Sequence, residues 1–530
     1  MKKIKLSHIS LFVILGIISL FSSCTDDLNV FPKDDNDFTS EDFYADPLAY
    51  KQFLAKIYGG FAVTGQAGPA GVPDIQGIDE GFGQYLRGYW QLQELCTDEA
   101  MVAWGDPTLP DLNTQSWNAD NQFTRAFYSR AFYQIGLANE YLRETTDAKL
   151  DSRAVSAELK SDVKVFRAEV RFLRAMSYYH AIDLFGKVAF ATEEDKVGVP
   201  PQEKDRIFVF NFIVEELKAI IPDMKAANTN EYGRADQRAA KMLLAKLYQN
   251  SIVYTAINRD TDALASINEV IASSVPINTT IPYSNLFMAD NDRAPLHNEI
   301  IFAVRSDGTR TTSWGATTYL VHAPTGNWFA ETGVDGGWFG LVGRPEFAAK
   351  FSDLTGGADK RAIFFQDTPI SIPTASDFFA KGGLKVKKWK NITSTGVRGS
   401  NASMPDTDFP MFRLADTYLM YAELAAKGLG SRATAVGYVN ILRTRAQAAQ
   451  ITDADLTLQF VLDERSRELY WEGHRRQDLI RFGKYSGSSY MWQWKGGVQA
   501  GISVDDKFNL YPIPQAELNT NSNLTQNPGY

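Results

Sequence analysis

A chain of 530 residues with 44% hydrophobic side chains can bury a large core, and its length alone suggests two or three domains. A formal net charge of −9 argues against nucleic acid and anionic lipid as main partners, and leaves neutral ligands such as sugars open. With only Cys24 and Cys96 there is no disulfide framework, and a core this large needs none.

The first element in the chain is a targeting segment. Lys2, Lys3 and Lys5 form a basic start, followed by an apolar run over 9–21 that is short for a bilayer span. The run ends in Phe21-Ser22-Ser23-Cys24, small residues before a cysteine, which suits a lipoprotein signal peptidase. Residues 1–23 are therefore read as a lipoprotein signal peptide and Cys24 as the site of lipidation. The alternative is an ordinary secretory signal with an incidental cysteine. Acyl chains contribute about 0.8 kcal/mol per buried CH₂, so two or three of them hold a soluble domain at a membrane it does not cross. Cleavage removes three lysines and no acidic residue, which takes the net charge from −9 to −12. Residues 24–40 then form an acidic tether, beginning Thr25-Asp26-Asp27.

From 121 to 273 the pattern is helical. Phe166, Val170, Leu173 and Ser177 recur at helical spacing, with Arg167, Arg171 and Arg174 as a basic stripe one position on. Gly186 ends that helix, and a second over 207–220 is closed by Pro222. An Ala-rich pair follows over 235–254 and 263–272. Between 276 and 410 the chain turns rich in Gly, Thr, Asn and aromatics with weak periodicity, a long loop-rich insertion of the kind that usually carries function. Helices return over 414–447 and 455–482, and the tail after Gly483 is irregular. Paired helices in units of about 35–40 residues predict a mainly α fold, a right-handed TPR-like array of helical hairpins. The expected division is an N-terminal helical part over 41–275, the insertion over 276–410, and a C-terminal helical part with tail over 411–530.

Three tryptophans stand beside glycine in polar loops: Trp104 in Ala103-Trp104-Gly105, Trp314 in Ser313-Trp314-Gly315 and Trp338 in Gly337-Trp338-Phe339. An indole offers a flat, polarisable face to the apolar face of a pyranose and needs little side-chain ordering. These residues either stack on a sugar or anchor their loops. Trp492 and Trp494 alternate and read as packing, while Trp328 and Trp389 fit either role.

Glycosidase chemistry needs two carboxylates set across the scissile bond, and among 63 acidic residues such pairs are unavoidable, so counting decides nothing. Asp406 and Asp408 read as loop ties. The five histidines show no metal spacing, and no nucleophile elbow or P-loop is present. Asp290-Asn291-Asp292 gathers oxygen ligands for calcium but lacks the EF-hand glycine and glutamate. No cofactor and no catalytic residue is assigned.

Three segments resemble the SusD/RagB family of outer-membrane lipoproteins: Phe166-Arg167-Ala168-Glu169-Val170-Arg171 with Asp183-Leu184-Phe185-Gly186; Glu464-Arg465-Ser466-Arg467-Glu468-Leu469 with Glu472-Gly473-His474-Arg475-Arg476 and Asp478; and Tyr511-Pro512-Ile513-Pro514 with the closing Asn527-Pro528-Gly529-Tyr530. With the lipidation motif, the resemblance covers essentially the whole chain. The Arg and Glu residues of these motifs are expected to pair between helices. Other segments, among them Thr97-Asp98-Glu99 and Tyr490-Met491-Trp492, are similar to the starch-binding member of that family. The resemblance implies a non-catalytic protein that captures α-glucan for a SusC-like TonB-dependent transporter, exported to the cell surface by the acidic residues after Cys24. It also implies that Trp104, Trp314 and Trp338 form an aromatic arc, with Arg87 and Asp106 as polar contacts. The family pattern has tyrosine where Trp314 stands. Its neighbouring aromatic becomes Val102, and its asparagine becomes Asp106 or Pro107. The alternatives are a helical scaffold lipoprotein that binds no glycan, or a relative specific for a different glycan.

Overall fold

The computed structural model describes residues 39–365, 369–376 and 382–530. The signal peptide, Cys24 and all but the last two residues of the tether lie outside the described residues. Two compact units separate at 49/50. In the first, Thr39 and Asp42 form a capping box that starts a short helix, Ser40–Tyr44. The second holds everything discussed below.

Its longer helices are α1 (Tyr85–Glu94), α2 (Gln122–Glu144), α3 (Ala157–Phe185), α4 (Arg206–Ile220), α5 (Gln237–Gln249) and α6 (Asp260–Ser273). After the loop-rich stretch, which contains α7 (Ala316–His322), come α8 (Leu414–Ala426), α9 (Arg432–Arg445), α10 (Leu458–Leu469) and α11 (Arg475–Arg481). Short helical turns between them are left unlabelled. Side-chain caps start most of these helices: Asn121 for α2, Ser156 for α3, Asp205 for α4 and Asp236 for α5 each accept from backbone N–H groups of the first turn. Sequential helices pack as hairpins, α2 on α3, α5 on α6 and α8 on α9, with α6 and α10 also packed on α8. This is the TPR-like architecture expected from the helix spacing.

Three predicted helices divide. The helix expected over 235–254 stops at Gln249, where the Asn250 amide donates to the Lys246 carbonyl (3.0 Å) and draws the chain out of the helix. The one over 414–447 becomes the α8–α9 hairpin because Gly428 and Gly430 take φ of 91° and 88°. The one over 455–482 is broken between α10 and α11 at Trp471 and Gly473, both at positive φ. Helix α1 was not predicted: all ten of its residues are buried, including the polar stripe of Arg87, Gln91 and Glu94.

Among the described residues, eight short strands form four antiparallel pairs. β1 (Ala100–Val102) pairs with β5 (Leu341–Gly343), and β2 (Val188–Phe190) with β3 (Gln202–Lys204). β4 (Ile300–Val304) pairs with β8 (Phe409–Arg413), and β6 (Phe364–Phe365) with β7 (Lys385–Val386). The β4–β8 pair ties the two ends of the loop-rich stretch together, and β1–β5 ties it to the N-terminal helices.

Most of the motif arginines pair with carboxylates of other elements, while Arg467 pairs within its own helix. Arg465 of α10 bridges Asp416 of α8 (2.8 Å) and Asp478 of α11 (2.7 Å). Arg413 at the end of β8 reaches Glu299 (2.9 Å), Glu468 (2.7 Å) and Glu472 (2.6 Å), all buried. Glu464 takes Arg361, Arg443 and Arg467. Charge pairing with Arg361 and its neighbours holds the Glu464 carboxyl down at about 2 against its burial. The tail closes on the C-terminal end of α3: Tyr511 N–H donates to the Leu184 carbonyl (2.7 Å), the Asn527 amide to the Phe185 carbonyl (2.8 Å), and Arg476 pairs with Asp183 (3.2 Å). The three motif segments thus meet at one place.

Candidate functional site

The β1–β5 pair sets the first two tryptophans side by side. Just past the pair, Ala103 N–H donates to the Gly340 carbonyl (2.9 Å), so Trp104 emerges opposite the 338–340 segment. The Trp104 indole N–H donates to the Phe339 carbonyl (2.8 Å), which fixes the ring edge-on to that backbone. Gly340 has φ 96°, and a Cβ there would lie 2.3 Å from the Trp104 indole nitrogen, so the approach requires glycine. Beneath them, Asn113 holds Val102 from both backbone groups: Val102 N–H donates to its side-chain oxygen (3.2 Å) and its amide donates back to the Val102 carbonyl (2.6 Å). Val102 is fully buried, so the family's departure at this position lies under the strand.

The third tryptophan is placed from α1 and α7. Trp314 stands just before α7, whose first N–H groups follow Gly315. Gln84, the N-cap of α1, accepts from Arg87 N–H (2.7 Å) and from Ala316 N–H (2.9 Å), which locks the start of α7 to α1. Arg87 donates through Nη1 to the Gly81 carbonyl and to the Trp314 carbonyl (3.1 Å). Its guanidinium lies 4.3 Å from the Tyr319 ring centroid and 5.9 Å from that of Trp104. Arg87 is therefore buried beneath the aromatics, with Nε unpartnered among the described residues. Burial pushes its pKa down, opposed by Tyr319, Asp106 and Asp79.

Together these supports make a bent strip of half-buried rings. Trp104 and Trp338 have centroids 6.3 Å apart with planes at 51°, and Trp338 and Trp314 are 6.2 Å apart at 59°. Trp338 is backed by His322, stacked at 4.8 Å and 20°. Both His322 ring nitrogens face carbonyls, of Gly336 (2.7 Å) and Ser403 (3.0 Å), and burial pushes its pKa below the ordinary histidine value despite those contacts. Asp106 is exposed at the edge, in the turn closed by Leu109 N–H to its carbonyl (3.1 Å). A surface of this kind presents apolar faces at changing angles with charged groups beside them. It suits a curved ligand with alternating apolar and hydroxylated faces.

All five sequence-derived residues gather at this strip, though Arg87 sits under it instead of on the surface. Tyr319 and His322 escaped sequence reasoning: they belong to α7, and their part in the site comes from stacking behind the tryptophans. Outside the strip, Trp492 is buried beneath the Lys495 ammonium (4.3 Å), and Trp494 donates to the Ile372 carbonyl (3.0 Å). Trp389 stacks on Phe409 (5.2 Å, 9°) and Trp328 on Phe365 (4.6 Å, 25°), so all four pack.

The acidic loop residues act as ties. Asp406 accepts from Gly308 N–H (2.8 Å), Ser400 N–H (2.6 Å) and the Ser400 hydroxyl (2.7 Å), and Asp408 accepts from Ser306 N–H (2.6 Å). In the segment read for calcium, Asp290 accepts from Ser394, Asn291 bridges Leu286 and Asp408, and Asp292 pairs with Arg305. Each turns to a different protein partner, and no metal-ligating group of three acidic, histidine or cysteine residues converges among the described residues.

A family model described as the SusD family matches residues 371–530. Over 96% of this chain and 96% of the relative, the sequence is 34% identical to the starch-binding protein SusD of Bacteroides thetaiotaomicron. The fold is similar to a SusD superfamily protein from Parabacteroides distasonis, with TM-score 0.70 and 21% identity over 93% of this chain and 100% of that one. It is also similar to surface glycan-binding protein A from Bacteroides thetaiotaomicron in complex with laminarihexaose, with TM-score 0.66 and 18% identity over 90% and 98%.

Proposed function

Since this chain belongs to the SusD family, whose members are carbohydrate-binding and non-catalytic, we propose that it captures starch and malto-oligosaccharides on the Trp104, Trp338 and Trp314 strip. The observation that carries this reading is the bend of the strip. Rings tilted by 51° and 59° in succession follow a chain that curves, as α-linked glucose does, better than a flat ribbon. The sugar rings stack on the indoles, Asp106 meets hydroxyls at the edge, and Arg87 holds Trp314 in place from below. The starch-binding relative supports the α-glucan assignment, and the neighbour that holds laminarihexaose makes a different glucan the competing one.

The same reading places the protein on the outer face of the outer membrane, anchored through Cys24, delivering its ligand to a SusC-like TonB-dependent transporter. No helix among the described residues is long and apolar enough to cross a membrane. Calorimetric titration with maltoheptaose and laminarihexaose tests the ligand: heat with maltoheptaose and at least about tenfold weaker binding of laminarihexaose are expected. The reverse preference would assign another glycan, and no heat with either would leave a helical scaffold. A β-barrel protein is expected to co-purify with the chain from detergent-extracted membranes, and Cys24→Ser to release the chain from them. A chain that stays bound after that substitution contradicts the anchor.

A further inference from the structure

A pocket of about 430 Å³ opens between the segment after α6, the end of α9 and the β6–β7 region, and none of its lining residues belongs to the aromatic strip. Its size is that of an ordinary small-molecule site. Four cations line it, Lys360, Lys387, Lys390 and Arg445, and no carboxylate does among the described residues. In a chain of net charge −9, such a gathering of one sign is a local reversal.

Two of the four cations have no ion-pair partner among the described residues. Lys390 is half-buried and has no ion-pair partner among the described residues, and the same holds for the exposed Lys360. Lys387 pairs with Glu331 at 2.9 Å, but that glutamate side chain is 54% exposed. Burial and the neighbouring Lys387 charge push the Lys390 pKa down, with Glu331 opposing them. Arg445 spends both terminal nitrogens on Glu299 and Glu468, and its buried Nε is left without a partner among the described residues. Thr279 and Ser284 add hydroxyls to the wall. Charged donors flanked by hydroxyls match a ligand that carries both an oxyanion and sugar hydroxyls.

We propose that this pocket is a second ligand site, separate from the aromatic strip, that takes an anionic monosaccharide: a hexose bearing a carboxylate or a phosphoryl group. Lys390 and Lys360 hold the oxyanion, and the Thr279 and Ser284 hydroxyls meet the ring.

Calorimetry at low ionic strength tests it, with sodium glucuronate, glucose 6-phosphate, inorganic phosphate and glucose as probes. The proteins are the wild type, Lys390→Gln, Lys360→Gln and, as a control, Lys160→Gln, whose half-buried lysine pairs with Asp151 elsewhere. The wild type is expected to bind glucuronate or glucose 6-phosphate more tightly than phosphate or glucose. Lys390→Gln and Lys360→Gln are expected to weaken that binding by about tenfold, and Lys160→Gln to leave it unchanged. Unchanged thermal melting shows that the variants fold. Glucose binding as tightly as the sugar acids would overturn the oxyanion, and phosphate binding as tightly as glucose 6-phosphate would overturn the sugar. No anion binding, or binding indifferent to both pocket substitutions, would overturn the site.

Discussion

Gly340 sits with φ at 96° and its Cα against the Trp104 indole, where a methyl group would come within 2.3 Å of the ring nitrogen. Gly340→Ala is therefore expected to cost about 1–3 kcal/mol of stability, from the left-handed backbone alone. It is also expected to weaken glycan binding by displacing Trp104. Paired denaturation and titration curves check both, and a variant with wild-type affinity would show that Trp104 is not set by this contact. Asp408 gives a pH-dependent prediction. Burial pushes its carboxyl up to about 7, with Asp292 adding to the rise and Ser306 N–H and Arg305 opposing it. The ordinary aspartate value is about 3.9, so its contribution to stability is present below about pH 4 and lost as pH rises through about 7. Asp408→Asn keeps an acceptor for Ser306 N–H and removes the titration. Its stability relative to wild type should be more favourable at pH 8 than at pH 5 by more than about 1 kcal/mol in denaturant titrations. An equal difference at both pH values would contradict the assignment. At this scale the three tryptophans were legible because each stands beside a glycine in a polar loop. His322 and Tyr319 were not, because stacking across a fold leaves no local pattern, and Arg87 looks like a surface arginine until the strip is seen lying over it.

Helices and their ties form the next scale. Arg413 joins β8 to the 3₁₀ turn before β4 and to the end of α10 through three buried carboxylates. Removing one partner from a buried ionic cluster leaves uncompensated charge, so Arg413→Ala should destabilise the fold by about 3–5 kcal/mol. Adding Glu468→Gln should recover part of that loss, because the two residues belong to one network. A loss below about 1 kcal/mol by chemical denaturation would contradict the network's role. The helices over 157–185 and 206–220 were readable from apolar spacing and from Gly186 and Pro222. The break at Asn250 was not, because apolar spacing continues across it, and those at Gly430 and Gly473 turn on positive-φ glycines inside stretches read as one helix. Helix α1 was missed although Arg87, Gln91 and Glu94 recur at helical spacing, and all of its faces are buried.

For the whole molecule, the sequence carried the architecture through motifs that meet in space: the end of α3, α11 and the closing tail share Asp183, Arg476, Tyr511 and Asn527. The strip is the opposite case, because its residues come from three distant segments. The β1–β5 pairing and the α1–α7 lock help make one surface of them. Titrating maltoheptaose into the wild type, into each of Trp104→Ala, Trp314→Ala and Trp338→Ala, and into the triple variant measures whether that surface is the binding site. Each single substitution is expected to lose about 2 kcal/mol, roughly thirtyfold in affinity, with the triple variant showing no heat while melting cooperatively. Undiminished maltoheptaose binding by the triple variant would contradict the account.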